Sequence, residues 1–173
     1  MYVNPRALRR AVLAFLVVPC LFTGCEIIPG DGSDPSAFRI DATVAGMRWQ
    51  GETGSSVNAE GTLFVWGKRG DIDGGNYKSI LLEILNFDGV GDYQIGERRA
   101  SYEEVFGGDQ VFLYGHAAAT PEDRVIITRY DVSAKVVEGA FLFEATALNP
   151  FDDVAEGDVF EVSGTFEAQV QEL

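Results

Sequence analysis

Histidine occurs once in this 173-residue chain, and cysteine and tryptophan only twice each. A single imidazole, His116, rules out a multi-histidine metal centre and leaves one base for any Ser-His-Asp arrangement. No G-x-S-x-G string accompanies it, so His116 reads as a loop or strand-edge residue beside a run of alanines. Gly-rich phosphate loops and the dinucleotide fingerprint are also missing, and no cofactor is expected. Positive charge is scarce: 13 Lys and Arg stand against 27 Asp and Glu, a formal net charge of −14. So acidic a chain repels phosphate backbones and anionic bilayer surfaces, which excludes nucleic acid as a partner. Cys20 and Cys25 both fall near the start, so the rest of the chain has no thiol and no internal disulfide. Its stability has to come from packing.

The one long apolar run, residues 11–22, follows Arg6, Arg9 and Arg10 and leads into Leu21-Phe22-Thr23-Gly24-Cys25. A basic start, an apolar middle and small residues before a cut are the three parts of an export leader. The run is shorter than the about 20 residues of a membrane span, and Pro19 disturbs a helix there. Leu21 to Cys25 resembles the lipobox of bacterial lipoproteins, with Phe22 where the pattern has Leu. That resemblance implies that Cys25 is lipidated and becomes the first mature residue. It implies a protein of the cell envelope, lipid-anchored in the outer membrane on its periplasmic or surface face. An uncleaved anchor helix and ordinary secretory cleavage nearby are the alternatives. Removing residues 1–24 leaves 173 − 24 = 149 residues carrying 10 − 27 = −17 charges, enough for one domain with a core. Residues 25–36, rich in Gly, Pro, Ser and Asp, read as a flexible tether. The single domain is then 37–173.

From Phe38 the hydrophobic pattern has period two. Phe38, Ile40, Ala42 and Val44 alternate with polar residues, and Phe160 to Val170 do the same over eleven positions. Strands or extended pieces are also expected at 48–50, 62–66, 78–85, 91–96, 110–115, 124–130 and 135–148. Residues 53–61 read as a polar loop, and Gly67-Lys68-Arg69-Gly70 as a turn. The 78–85 segment is apolar on both faces and belongs in the middle of a packed sheet. Ser101-Tyr102-Glu103-Glu104 could begin a helical turn, with Ser101 as cap. Gly139 and Gly164 fall in two long strands, where a glycine relieves crowding or lets a sheet bend. About nine strands with short turns predict an all-β domain, a single antiparallel β-sandwich or barrel, with a lipocalin-like closed barrel as the alternative.

Three groups of side chains carry candidate chemistry. Asp71-Ile72-Asp73-Gly74-Gly75-Asn76 is the most metal-like string, but an EF-hand loop fails at its fifth, sixth and twelfth positions. It reads as a β-turn, with Asp71 and Asp73 the only candidate metal ligands. Glu103, Glu104, Glu144, Asp152 and Asp153 are the carboxylates that could pair at glycosidase spacing. Trp49, Trp66 and Tyr93, with Tyr77, Tyr102 and Tyr114 behind them, could form a stacking platform for a ligand, or simply a core.

The segment Ala42-Thr-Val-Ala-Gly-Met-Arg-Trp49, the later Gly91-Asp-Tyr93-Gln-Ile95, and the closing Gly139-Ala-Phe141-Leu-Phe143 and Gly164-Thr-Phe166 resemble a domain-of-unknown-function family of small Gram-negative lipoproteins. In that family Asp or Asn commonly stands where this chain has Ala45. The resemblance implies no catalytic residues. The expectation is a lipid-anchored, non-catalytic binding or assembly module whose partner is an envelope protein, a glycan or a small ligand. A small-ligand carrier with a barrel cavity and a carboxylate-dependent hydrolase are the competing readings.

Overall fold

The computed structural model describes residues 38–108, 110–115, 120–149 and 155–172. The leader, Cys25, the tether, His116, Asp152 and Asp153 lie outside these residues. Residues Asp34–Leu173 make one compact unit, and its core is assembled from residues 40–170.

Ten strands are described: β1 (Arg39–Val44), β2 (Met47–Val57), β3 (Leu63–Asp71), β4 (Asn76–Ile84), β5 (Gly91–Gln94), β6 (Ala100–Phe106), β7 (Gln110–Gly115), β8 (Arg124–Asp131), β9 (Val136–Asn149) and β10 (Val159–Glu172). Most strands pair with a strand one or two places away in the chain, and β5 with β8, so the chain is broadly an up-and-down meander. β10 returns to pair antiparallel with β1, from Ile40↔Phe166 to Val44↔Val162, and this closes the sheet into a barrel. Closure answers the edge-strand problem that an open sheet of this length would face.

Eight walls make the ring, because four strands act as two. β7 and β8 run collinearly along β9, β7 against Thr146 to Asn149 and β8 against Val136 to Leu142, with the chain leaving the sheet between them. β5 and β6 run along β8 and β7 in the same interrupted way. In the gap Asp123 takes over the ladder. Its buried carboxylate accepts the Glu144 N–H through Oδ1 at 2.9 Å and the Thr120 N–H through Oδ2 at 2.5 Å. Its carbonyl accepts the Ile95 N–H at 3.0 Å.

The inward face is the apolar half of each alternating strand. Ile40, Leu63, Val65, Ile80, Leu82, Phe143 and Val162 are all fully buried. Large inward rings sit where their own or a neighbouring strand has a glycine. The far edge of the Trp49 indole lies against Gly51 and Gly67, and Phe166 lies against Gly139. Any Cβ at those glycines would clash with the rings, so these glycines make room, as their sequence pattern implied for Gly139 and Gly164. The barrel realises the expected all-β fold in its closed form.

Several segments differ from the sequence reading. Residues 53–57 are strand, not loop. They are small and polar because β2 meets β10 directly beyond the start of β1, where Thr53 Oγ1 and Ser55 Oγ donate to the carbonyls of Glu167 and Gln169. Gly67 to Gly70 continue β3 past its glycine to Asp71. Residues 101–104 lie within β6, where Tyr102 and Glu104 share a face and a hydrogen bond that a helix would not allow. β4 is buried on one face only: Leu81 on the other is 39% exposed, because no second sheet covers the outside of a barrel.

The turns follow their chemistry. Ala45 and Gly46 join β1 to β2 with φ of 49° and 78°, the two positive values of a type I′ turn. Asn or Asp suits the first of these positions better than Ala45 does. In the β3–β4 turn, Asp71 Oδ1 accepts the Gly74 N–H at 2.9 Å. Asp131 does the same for Ala134 at the β8–β9 turn. That bond and a second from Ser133 hold the Asp131 carboxyl below its ordinary range.

Candidate ligand cup at the barrel mouth

Strand direction puts the turns at 45–46, 72–75 and 107–108 at one end of the barrel. Phe38, residues 58–62, the 85–90 loop, the 132–135 turn and Glu172 lie at the other. The two ends are filled differently. At the end where the described chain begins and finishes, Phe87 packs edge-on against Tyr130 at 4.9 Å, and Tyr93 hydrogen-bonds Asp88 and the Gly89 carbonyl. That end is plugged by its own loop.

The opposite end is a cup of about 470 Å³. Val44, Trp49, Tyr102, Tyr114 and Phe160 supply its apolar lining. Tyr114 lies between the other two rings of a cluster, 5.6 Å from Tyr102 and 5.2 Å from Phe160 between centroids. These rings, with Trp49, separate the cup from the packed interior. The volume falls within the about 300–1,000 Å³ of small-molecule sites, which are mostly apolar with a few placed polar groups.

The polar groups come from the continuation of the same inward faces. Inward residues of β3 run Leu63, Val65, Gly67 and then Arg69. Those of β4 run Ile84, Leu82, Ile80 and then Lys78, which pairs with Arg69 across the ladder and with Glu104 on β6. Lys78 Nζ lies 2.7 Å from Glu104 Oε1, and the Tyr102 hydroxyl donates to the same oxygen at 2.6 Å. Burial first, and then this donation to a carboxylate, push the Tyr102 phenol far above its ordinary value, so it stays a neutral donor. Arg69 makes no ion pair among the described residues. Arg48 also touches the cup, but its register opposite Thr43 sets it on the outer face of the wall. Trp49 is 3% exposed, and its indole N–H is a buried donor with no hydrogen-bond partner among the described residues.

The residues singled out from sequence are dispersed. Trp49 is inside the barrel at the cup and Trp66 on its outer wall, where its indole covers Gly54. Tyr93 is at the plugged end, so these three do not form one platform. Tyr102 and Tyr114 do meet at the cup. Tyr77 pairs with Val105 at its rim and carries the Lys68 ammonium 5.7 Å from its ring centroid. Phe160, Arg69 and Lys78 were missed as site residues. Following the two-residue period of β3 and β4 past Gly67 and Ile80 would have found the two cations. Asp71 spends one carboxylate oxygen on its own turn, and Asp73 is exposed at the tip. Among the described residues, no group of three or more His, Cys, Asp or Glu could hold a metal ion. Glu103 alternates with Glu104 and so faces away from the cup, and Glu144 is exposed on the outer face of β9.

Among the described residues, fold and site together define a closed β-barrel with a loop-plugged end and an aromatic-floored cup at the other. No protein-family model, curated protein or solved structure matches the chain.

Proposed function

We propose that this protein is a lipid-anchored, non-catalytic envelope protein that binds a small ligand in the mouth of its barrel. The observation that carries the binding half is the cup itself, a concavity floored by Trp49, Tyr102, Tyr114 and Phe160 at the one end that no described loop plugs. Glu104 is the only carboxylate lining it among the described residues, and it is engaged by Lys78 and Tyr102. Binding therefore accounts for the geometry better than two-carboxylate hydrolysis does. The anchoring half rests on the lipobox-like Leu21 to Cys25 and the Gly/Pro-rich stretch after it. The resemblance to small Gram-negative lipoproteins supports the same reading. The described chain enters the barrel at Phe38, at the end away from the cup.

Two measurements test the halves separately. In the unit Asp34–Leu173, Trp66→Phe leaves Trp49 as the only tryptophan and a reporter on the cup floor. Titration with N-phenyl-1-naphthylamine, which is uncharged, or with its anionic relative 1-anilinonaphthalene-8-sulfonate should quench Trp49 saturably at one equivalent. If neither probe produces a saturable change, the cup is not a binding site. For the anchor, Cys25→Ser in the full chain should move the protein from the membrane fraction to the soluble fraction of the envelope. Unaltered fractionation would remove the lipid from the proposal.

A further inference from the structure

The charges inside the cup run against those of the molecule as a whole. The chain carries a formal −14, yet among the described residues the inward-facing charged groups at the mouth are two cations and one carboxylate: Arg69, Lys78 and Glu104. Lys78 and Glu104 compensate each other at 2.7 Å. What remains is the Arg69 guanidinium, a planar five-donor group suited to bidentate oxyanion recognition. The Trp49 N–H has no acceptor among the described residues, but it is shut off from the cup's open volume and does not read the ligand.

We propose that the cup takes an amphipathic organic anion: an apolar or aromatic body bearing one carboxylate- or sulfonate-type head. This rests on the ligand-cup reading above and adds the class of ligand. The body lies against Tyr114, Phe160 and Val44. The head meets Arg69 at the rim. The acidic exterior narrows the class further. Long-range repulsion works against small polyanions such as inorganic phosphate or nucleotides, whereas a monoanion with a large apolar body is drawn in by the burial of that body. Lys78 cannot serve as the reader of the head without abandoning Glu104, so specificity for the charge falls on Arg69.

The two naphthalene probes differ mainly in the sulfonate, which separates charge recognition from burial of the rings. With Trp49 as the sole tryptophan, the sulfonate should bind the unit Asp34–Leu173 more tightly than the uncharged amine. Arg69→Gln should weaken the sulfonate about tenfold while changing the amine less than about twofold. Arg69→Lys should restore part of the loss, because it keeps the charge without the fork. Arg69 is exposed at a strand end, and an unchanged unfolding midpoint of the Arg69→Gln protein confirms that the barrel is intact. If the amine binds and the sulfonate does not, or if Arg69→Gln leaves sulfonate affinity unchanged, the anion inference is overturned while the cup survives. If neither binds, both readings fall together.

Discussion

Asp123→Ala is expected to destabilise the barrel by about 2–4 kcal/mol, a large share of a small domain's total. The carboxylate sits where the β7–β8 wall is interrupted and accepts two backbone N–H groups, from Thr120 and Glu144, that have no ladder partner there. At 1% exposure, water cannot replace it. Alanine therefore removes two charge-assisted bonds and leaves two donors in a poorly hydrated place. Asp123→Asn keeps one acceptor and should lose roughly half as much. Urea unfolding of the unit Asp34–Leu173 measures both, and an unchanged slope against denaturant would show that the native state is what changed. A loss below about 1 kcal/mol in the alanine protein would mean that the gap is held closed by other groups.

Gly164→Ala is the second large effect, about 2–3 kcal/mol, although it adds only one methyl group. A Cβ built there falls 2.3 Å from the Asp41 carbonyl oxygen and 2.8 Å from the Ala42 Cα. Both obstacles are backbone, so no rotamer change relieves them, and β1 must move off β10. That pairing is the one that closes the ring. The damage should appear as faster hydrogen exchange at β1 amides as well as a lower unfolding midpoint. Exchange in β1 equal to that of the parent protein would show that the strands accommodate the methyl without separating.

Period-two alternation made β1, β9 and β10 legible in the sequence, because each has one wet and one dry face over six or more residues. It failed where another local signal competed. Thr53 to Val57 read as loop because small polar residues mark turns, yet here they donate to β10 carbonyls. Gly67 read as the end of a strand because glycine usually punctuates one, yet here it is the space that Trp49 occupies. Ser101 and Glu104 carried a capping signature, overridden by Glu104 binding Lys78 across the ladder. Closure itself was beyond local reading, since Ile40 and Phe166 are brought together by eight walls of accumulated twist rather than by any pattern near either one. The cup inherited that difficulty. Its rings were visible as aromatics, but which of the six would meet depended on the ring of strands, and Tyr93 and Trp66 ended elsewhere.

The β10–β1 seam has a consequence for how the molecule is made. Every other antiparallel pairing joins strands at most three apart in chain order, so most of the meander can form as the chain is synthesised. Until Val159 to Val170 are available, however, β1 and β9 are bare edges flanking an exposed apolar inner face. A chain held in that state is a template for pairing with its neighbours. Ribosome-bound intermediates lacking the last strand would therefore need a holding partner until that strand is free to close the barrel.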